Sequence, residues 1–139
     1  MTHAELLSFL RTHNHAVEAT VTPANTPQAA VVGIAVSDRF ELIFDTLDST
    51  RKFANLRANP TIAFVIGWED SQTAQYEGIA DLPSGAELER LKALYLQTFP
   101  DGVVRQSWPG LRYVRVTPVW IRYSDFRQDP PVIVEFPFS

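Results

Sequence analysis

The order of strand-like segments constrains the fold of this chain more than any other feature. Runs of β-branched, aromatic and other apolar residues predict about six strands. These segments are residues 16–21, 28–36, 40–44, 61–66, 73–82, 111–116 and 119–123, the last two being separate strands or one strand bent at Pro118. Gly78 indicates a β-bulge or a close backbone approach. Helices interrupt the strands at only three points, so we expect a mostly antiparallel, barrel-like α+β fold.

Three helices accompany the predicted sheet. Capping boxes, in which a Ser or Thr precedes a Glu by three positions, mark the starts of the first and third helices at Thr2 and Ser84. The predicted helices are residues 3–13, a short helix capped by Ser49 that ends at Asn59-Pro60, and residues 85–98. The tail, residues 126–139, is too apolar to stay in water, and we expect it to pack over the body of the protein or onto a partner subunit.

Length and composition limit the classes of function. With 139 residues the chain is expected to form one domain, residues 1–139, able to bury a core. Without cysteine it has no disulfide, thiolate zinc site or cysteine nucleophile. Its formal net charge of -4 argues against general nucleic-acid binding. No apolar run approaches the roughly 20 residues that span a bilayer, and the first residues do not resemble a signal peptide, so we expect a cytoplasmic protein with no membrane partner.

The segment Phe44–Pro60 carries the most informative motif. A strand is expected to end in a turn rich in hydroxyl groups, and the turn opens a helix whose first residues include Arg51 and Lys52. Cations at a helix N-terminus are unfavourable by about 0.3–1 kcal/mol, so two of them beside hydroxyls indicate a compensating anion. Free backbone N–H groups, two cations and the hydroxyls of Thr46 and Thr50 together suit a phosphate group. The chain has no glycine-rich phosphate loop.

The same segment has a pattern found in one known family. The pattern is a strand ending in an aromatic residue, any residue and Thr, then a Ser or Thr turn, Arg-Lys, and a helix closing on Asn-Pro before an apolar strand. The matching residues are Phe44, Thr46, Thr50, Arg51, Lys52, Asn59 and Pro60. In this pattern the chain resembles the pyridoxamine 5′-phosphate oxidase-like family of flavin-binding split β-barrels. Residues 115–123 also resemble the family's last strand, and the order of elements matches to about residue 125.

The resemblance implies a six-stranded split β-barrel with peripheral helices, assembled as a homodimer that binds FMN in two grooves between the subunits. The phosphate contacts that it implies are the side chains of Arg51 and Lys52, helped by Thr46 and Thr50. It also implies flavin contacts along the second strand, around residues 28–32. Trp120 is a further candidate to lie against the flavin ring, and core or interface packing is its alternative role.

The resemblance does not extend to vitamin B6 oxidation. The true oxidase is longer and holds pyridoxal phosphate with an Arg and a His near its C-terminus, whereas no histidine follows His15 here. We predict an FMN-dependent oxidoreductase acting on an unknown small molecule, with no metal site and with catalytic residues that the sequence does not identify. A deazaflavin-dependent reductase and a non-catalytic flavin-binding carrier, sensor or stress protein are the alternatives, and a haem-handling role, known in a few relatives, is a fourth.

Overall fold

The computed structural model describes residues 1–139. Its helices are α1 (His3–Arg11), α2 (Arg51–Ala58), α3 (Gly85–Thr98) and α4 (Gly102–Arg105). Its strands are β1 (His15–Val21), β2 (Pro27–Gly33), β3 (Ala35–Val36), β4 (Leu42–Leu47), β5 (Thr61–Ile66), β6 (Gln72–Asp81), β7 (Leu111–Asp125) and β8 (Val132–Pro137). None of the helices is long and apolar enough to cross a membrane.

All the strands belong to one antiparallel sheet. The order is β2-β1-β5-β6-β7-β4-β3, and β8 pairs with β7. The sheet curls into a half-barrel, which confirms the predicted α+β, mostly antiparallel split barrel. The sheet has 8 strands instead of the six expected. One reason is that residues 28–36 divide at Ile34 into β2, which pairs with β1, and β3, which pairs with β4; the other is that the apolar tail forms β8.

Strand β7 is a single strand of 15 residues that pairs with three other strands. One of its edges pairs with β6, and the other pairs first with β4 and then with β8. The register with β6 shifts between Glu77 and Gly78, opposite Pro118, so the bulge predicted at Gly78 is confirmed. A Cβ on Gly78 would lie 2.6 Å from the Thr117 carbonyl oxygen, which explains why this position carries no side chain.

The main core is a cluster of 20 buried side chains on the inner face of the sheet, to which α1 contributes Leu6 and Leu10. The Tyr76 hydroxyl, within this core, donates to the Phe40 carbonyl oxygen at 2.8 Å. A second, smaller cluster forms where Leu91 of α3 packs against β3 and β4. The fold is therefore a curled sheet filled on its inner face and covered by helices at its margins.

The two predicted capping boxes have different outcomes. At α1 the Thr2 Oγ1 accepts the Glu5 N–H at 3.1 Å and Glu5 accepts the Thr2 N–H at 3.1 Å, so this box is confirmed. At α3, Ser84 is the N-cap residue but its side chain makes no capping hydrogen bond. The other half of the box is also absent, because the Glu87 carboxylate accepts the Arg90 Nε–H at 2.7 Å and does not bond the Ser84 N–H.

Candidate functional site

The turn between β4 and α2 holds the two threonines of the predicted phosphate site. Thr50, not Ser49 as expected, is the N-cap of α2, because it has the extended backbone that a cap requires and its Oγ1 accepts the Phe53 N–H at 3.3 Å. Oγ1 of Thr46, at the end of β4, lies 2.9 Å from Oγ1 of Thr50. Thr46 is buried, and its contact with Thr50 helps to fix the position of the N-cap side chain.

Arg51 and Lys52 are the first two helical residues of α2. Their backbone N–H groups have no acceptor within the helix, because the first turn of an α-helix leaves its donors free. Neither side chain forms an ion pair within 4.0 Å. The first turn of α2 contains no acidic residue. Two cations therefore lie at the positive end of the helix without an ion-pair partner within 4.0 Å.

A groove of about 560 Å³ opens in front of this helix start, between α2 and the edge strand β2. We call it the α2 groove. Residues of β1, of β2 and of the turn into α2 supply its lining: Glu18, Thr20, Pro27, Gln28, Ala29, Ala30, Ser49, Thr50, Arg51 and Lys52. The groove is thus mostly polar, and its lining includes the cations Arg51 and Lys52.

Asn55 fixes α2 against the sheet beneath the groove. Its side-chain amide is buried and donates to Thr20 Oγ1 at 3.0 Å and to Gln28 Oε1 at 2.9 Å. Thr20 and Gln28 are cross-strand neighbours in β1 and β2. Because Asn55 lies one helical turn after Lys52, these two bonds set the orientation in which the helix presents its cations to the groove.

Glu18 is the acidic residue of the groove. It is 1 % exposed, and its Oε2 has no hydrogen-bond partner. Burial raises the pKa of this carboxyl above its ordinary value of 4.5, and the positive charge of Lys52 partly opposes the rise. A buried polar atom without a partner is unusual in a protein, which marks Glu18 as a residue that needs an explanation beyond folding.

The structure brings most of the predicted site residues together. Thr50, Arg51 and Lys52 line the α2 groove, and Thr46 contacts Thr50 directly. Trp120 is not among the lining residues, because it lies in β7, which β5 and β6 separate from β1. Its ring instead lies under the Arg122 guanidinium, 5.5 Å from it. Trp120 therefore stays a prediction, and within one protomer it does not join the groove.

The sequence does not predict Glu18, Thr20 or Asn55 as site residues, although β1 offers a signal. Ala16, Glu18 and Thr20 follow one another at every second position and are all buried, so they share the inward-facing row of the strand. Two polar residues on such a row need polar partners, and here the partners come from α2 and β2. No group of three or more histidine, aspartate or glutamate side chains is placed to hold a metal ion.

Asp45, which follows Phe44 in the family-like motif, belongs to a separate cluster. Its carboxylate accepts the Arg105 Nε–H at 2.9 Å, and Arg105 also donates to the Tyr95 hydroxyl at 3.3 Å. Burial raises the pKa of Tyr95, and the nearby Asp45 carboxylate adds to the rise. The cluster joins β4 to α3 and α4, and it does not line the α2 groove.

The outer face of the sheet is a second distinctive surface. Two shallow grooves of about 450 and 350 Å³ run along it. Apolar side chains of β1, β5, β6 and β7 form most of this outer apolar face: Val17, Ala19, Ala63, Val65, Ile79 and Val119. Val65, Ile79 and Val119 are exposed there, a pattern typical of surfaces that contact another protein.

Comparison with known proteins finds one matching family model and several solved structures with a similar fold. A family model described as pyridoxamine 5′-phosphate oxidase matches residues 2–125. The structure is similar to a haem-binding protein from Mycobacterium smegmatis, with a TM-score of 0.84 and 16% identity over 99% of this chain and 58% of that one. It is also similar to a pyridoxamine 5′-phosphate oxidase-related, FMN-binding protein from Nostoc punctiforme, with a TM-score of 0.72 and 13% identity over 98% of this chain and 94% of that one.

A third similar structure is General Stress Protein 26 from Bacillus anthracis, with a TM-score of 0.72 and 19% identity over 98% of this chain and 100% of that one. A search of curated proteins finds no match. This chain spans 58% of the length of the haem-binding protein. At these identities the three structures share the fold with this chain, and their ligands are properties of those proteins.

Proposed function

This chain belongs to the pyridoxamine 5′-phosphate oxidase-like family of split β-barrels, and from that premise we propose that it binds FMN and acts as an FMN-dependent oxidoreductase on a small molecule. The observation that carries the proposal is the α2 groove, where Arg51 and Lys52 form no ion pair within 4.0 Å. Their free backbone N–H groups lie at the same helix start. A phosphate ester matches these donors in charge and in number, since it offers several acceptor oxygens to convergent cations and amides.

The rest of the groove suits the part of FMN next to its phosphate. Gln28 and Thr20 supply polar atoms at the floor, which fit the hydroxylated chain between the phosphate and the ring. The volume of about 560 Å³ is in the range of small-molecule sites. The apolar lining, however, is limited to Pro27, Ala29 and Ala30, which is too little to cover a flavin ring. A second surface is needed to complete the site.

We propose that a second copy of the chain supplies that surface, in a homodimer formed through the outer apolar face. The exposed Val65, Ile79 and Val119 would be buried in this assembly, and burial of apolar area favours association. Trp120 belongs to the same face, because it pairs with Glu77 across β6 and β7. It is therefore kept as a candidate ring contact across the dimer. A cytoplasmic location also stays a prediction.

The division of labour in this proposal is simple. When bound, FMN supplies the chemistry of hydride and electron transfer. The chain's own residues bind the phosphate through Arg51, Lys52 and Thr50, and Asn55 keeps α2 in the orientation that binding requires. No side chain of the groove is assigned a proton-transfer role in catalysis.

The proposal is tested by comparing FMN with riboflavin, which lacks the phosphate. Charge-assisted hydrogen bonds contribute about 1.5–3 kcal/mol each, so two of them predict that FMN binds roughly 10²–10⁴-fold more tightly than riboflavin. Fluorescence titration of the purified protein measures both affinities. Equal affinities would contradict the phosphate assignment.

Absorption spectra of the purified protein separate the alternatives. An oxidised-flavin spectrum that bleaches with reduced nicotinamide and returns with an electron acceptor supports the oxidoreductase. The same spectrum without reduction supports a non-catalytic flavin carrier or stress protein. A colourless protein that binds only a deazaflavin supports the deazaflavin-dependent reductase.

A further inference from the structure

Glu18 has surroundings that do not suit a permanently ionised carboxylate. It lines the α2 groove, it is 1 % exposed, and its Oε2 has no hydrogen-bond partner. No cation lies within 4.0 Å of it, so it is not held in an ion pair. Burying a carboxylate in this way is costly unless a partner arrives or the group becomes neutral.

The elements packed against β1 leave few groups that can influence the charge of Glu18. Strands β2 and β5, which flank β1, contain no titratable residue. Helix α2 contributes Arg51, Lys52 and Arg57, and the first two line the groove with Glu18. The other titratable residue of β1 is His15, which is exposed and three positions away, on the opposite face of the strand. The protonation state of Glu18 therefore depends on Arg51, on Lys52 and on any ligand that binds in the groove with them.

We propose that Glu18 takes up a proton when a phosphate ester binds in the α2 groove, and that the neutral carboxyl group then donates a hydrogen bond to the ligand. The proton comes from solvent and is carried on a Glu18 oxygen, so one carboxylate becomes one carboxylic acid for each ligand bound. This inference rests on the proposed phosphate site and adds regulation to it: ligand affinity depends on pH through Glu18.

Two changes on binding favour the proton. A phosphate dianion brings negative charge beside Glu18, and like charges disfavour an ionised carboxylate. The ligand also shares the positive charge of Lys52, which in the free protein lowers the pKa of Glu18 against the effect of burial. Once protonated, the carboxyl group has an O–H to donate, whereas a carboxylate can only accept. Protonation thus changes a repulsive contact into an attractive one.

The test measures FMN affinity from pH 5 to pH 9 for three proteins: the wild type, Glu18→Gln and the control Glu89→Gln. Gln is close to Glu in size and is never charged, so Glu18→Gln mimics the neutral acid. Glu89 is an exposed residue of α3 without an ion pair, so the control makes the same change of charge outside the groove. Free FMN titrates identically in all three experiments, so differences between the proteins come from the substituted residue.

The wild type and Glu89→Gln are expected to lose up to tenfold in FMN affinity per pH unit, over the interval between the pKa of Glu18 in the free and in the liganded protein. Glu18→Gln lacks this loss. A pKa rise of about one unit on binding, the low end for a charge at close range, predicts that Glu18→Gln binds FMN about tenfold more tightly than the wild type at pH 8.5. Below the pKa of Glu18 in the free protein the two affinities are expected to be similar.

Calorimetry in two buffers with different heats of ionisation gives a second readout, because it counts protons directly. The wild type is expected to take up more protons per FMN bound than Glu18→Gln at a pH between the pKa of Glu18 in the free and in the liganded protein. A residue that only supports the fold would weaken binding at every pH and would leave the proton count unchanged.

The outcomes separate this inference from the proposed function. Tight FMN binding with the same pH dependence in all three proteins overturns the role of Glu18 and leaves the phosphate site intact. Weaker binding by Glu18→Gln at every pH also overturns it. If FMN binds no better than riboflavin in any of the proteins, the phosphate site fails and the inference fails with it.

Discussion

Asn55→Leu tests whether the position of α2 depends on the buried amide beneath the groove. Leu is close to Asn in size but cannot donate the hydrogen bonds that reach Thr20 Oγ1 at 3.0 Å and Gln28 Oε1 at 2.9 Å. Gln28 is only partly buried and can turn to water. Thr20 is 1 % exposed and cannot.

The cost follows from these two partners. Leaving the buried Thr20 hydroxyl without its partner costs about 1–3 kcal/mol, and losing the bond to Gln28 costs about 1 kcal/mol. We therefore expect the free energy of unfolding to fall by about 3 kcal/mol. For a domain of this size that corresponds to a loss of roughly 10 °C in Tm. Because Arg51 and Lys52 then lose their fixed orientation, FMN affinity should fall as well.

Urea unfolding followed by tryptophan fluorescence measures the change, with Gln97→Leu as the control. Gln97 is an exposed polar residue of α3 and makes no side-chain hydrogen bond, so its replacement should change the free energy of unfolding by less than about 0.5 kcal/mol. If Asn55→Leu is as stable as this control, the buried amide does not anchor α2. Unchanged FMN affinity in a destabilised variant would show that the anchor does not serve the groove.

Three further predictions concern stability and assembly. Burial raises the pKa of Glu18 above 4.5, so the folded protein holds this proton more tightly than the unfolded chain, and stability is lost as pH rises from the unfolded pKa to the folded pKa. Without ligand, Glu18→Gln should therefore raise Tm more at pH 8 than at pH 5 in thermal melts. Arg105→Met leaves Asp45, now 2.9 Å from Arg105, without its cation, and should lower the free energy of unfolding by about 2–4 kcal/mol in urea titration; a loss below about 0.5 kcal/mol would contradict this. Val65→Asp places a charge on the outer apolar face, and sedimentation should show a protomer where the wild type is a dimer; a protomer for both proteins would refute the proposed homodimer.

Local sequence rules account for the elements whose causes are local. The capping box at Thr2 is present, and the helix predicted over residues 85–98 is α3. Gly78 lies at a bulge because the backbone of the neighbouring strand leaves no space for a Cβ. In each case the residues that determine the structure lie close together in the chain or show a steric requirement at one position.

Elements defined by distant partners are harder to predict. Residues 28–36 form one apolar run, yet they pair with β1 on one side of Ile34 and with β4 on the other. The tail is apolar, as expected, but its role as β8 depends on the free edge of β7. At Ser84 the capping box does not form, and the Glu87 carboxylate that would complete it bonds Arg90 instead.

The same distinction applies to the site. Arg51 and Lys52 can be predicted because a pair of cations at a helix start is a local anomaly. Glu18 looks like an ordinary polar residue in an alternating strand until α2 is seen to cover that face of β1. For Trp120 a single protomer does not suffice, since its predicted contact with a ligand requires a second copy of the chain.

The central claim is that the start of α2 exists to bind a phosphate ester, and one double variant tests it directly. FMN affinity is measured for the wild type, for Arg51→Ala with Lys52→Ala, and for Arg39→Ala with Lys92→Ala, which removes two cations outside the groove. We predict that the first double variant loses about 3–6 kcal/mol of FMN binding free energy, or roughly 10²–10⁴-fold in affinity, and that the second stays within about threefold of the wild type. Equal FMN affinity in all three proteins would contradict the account.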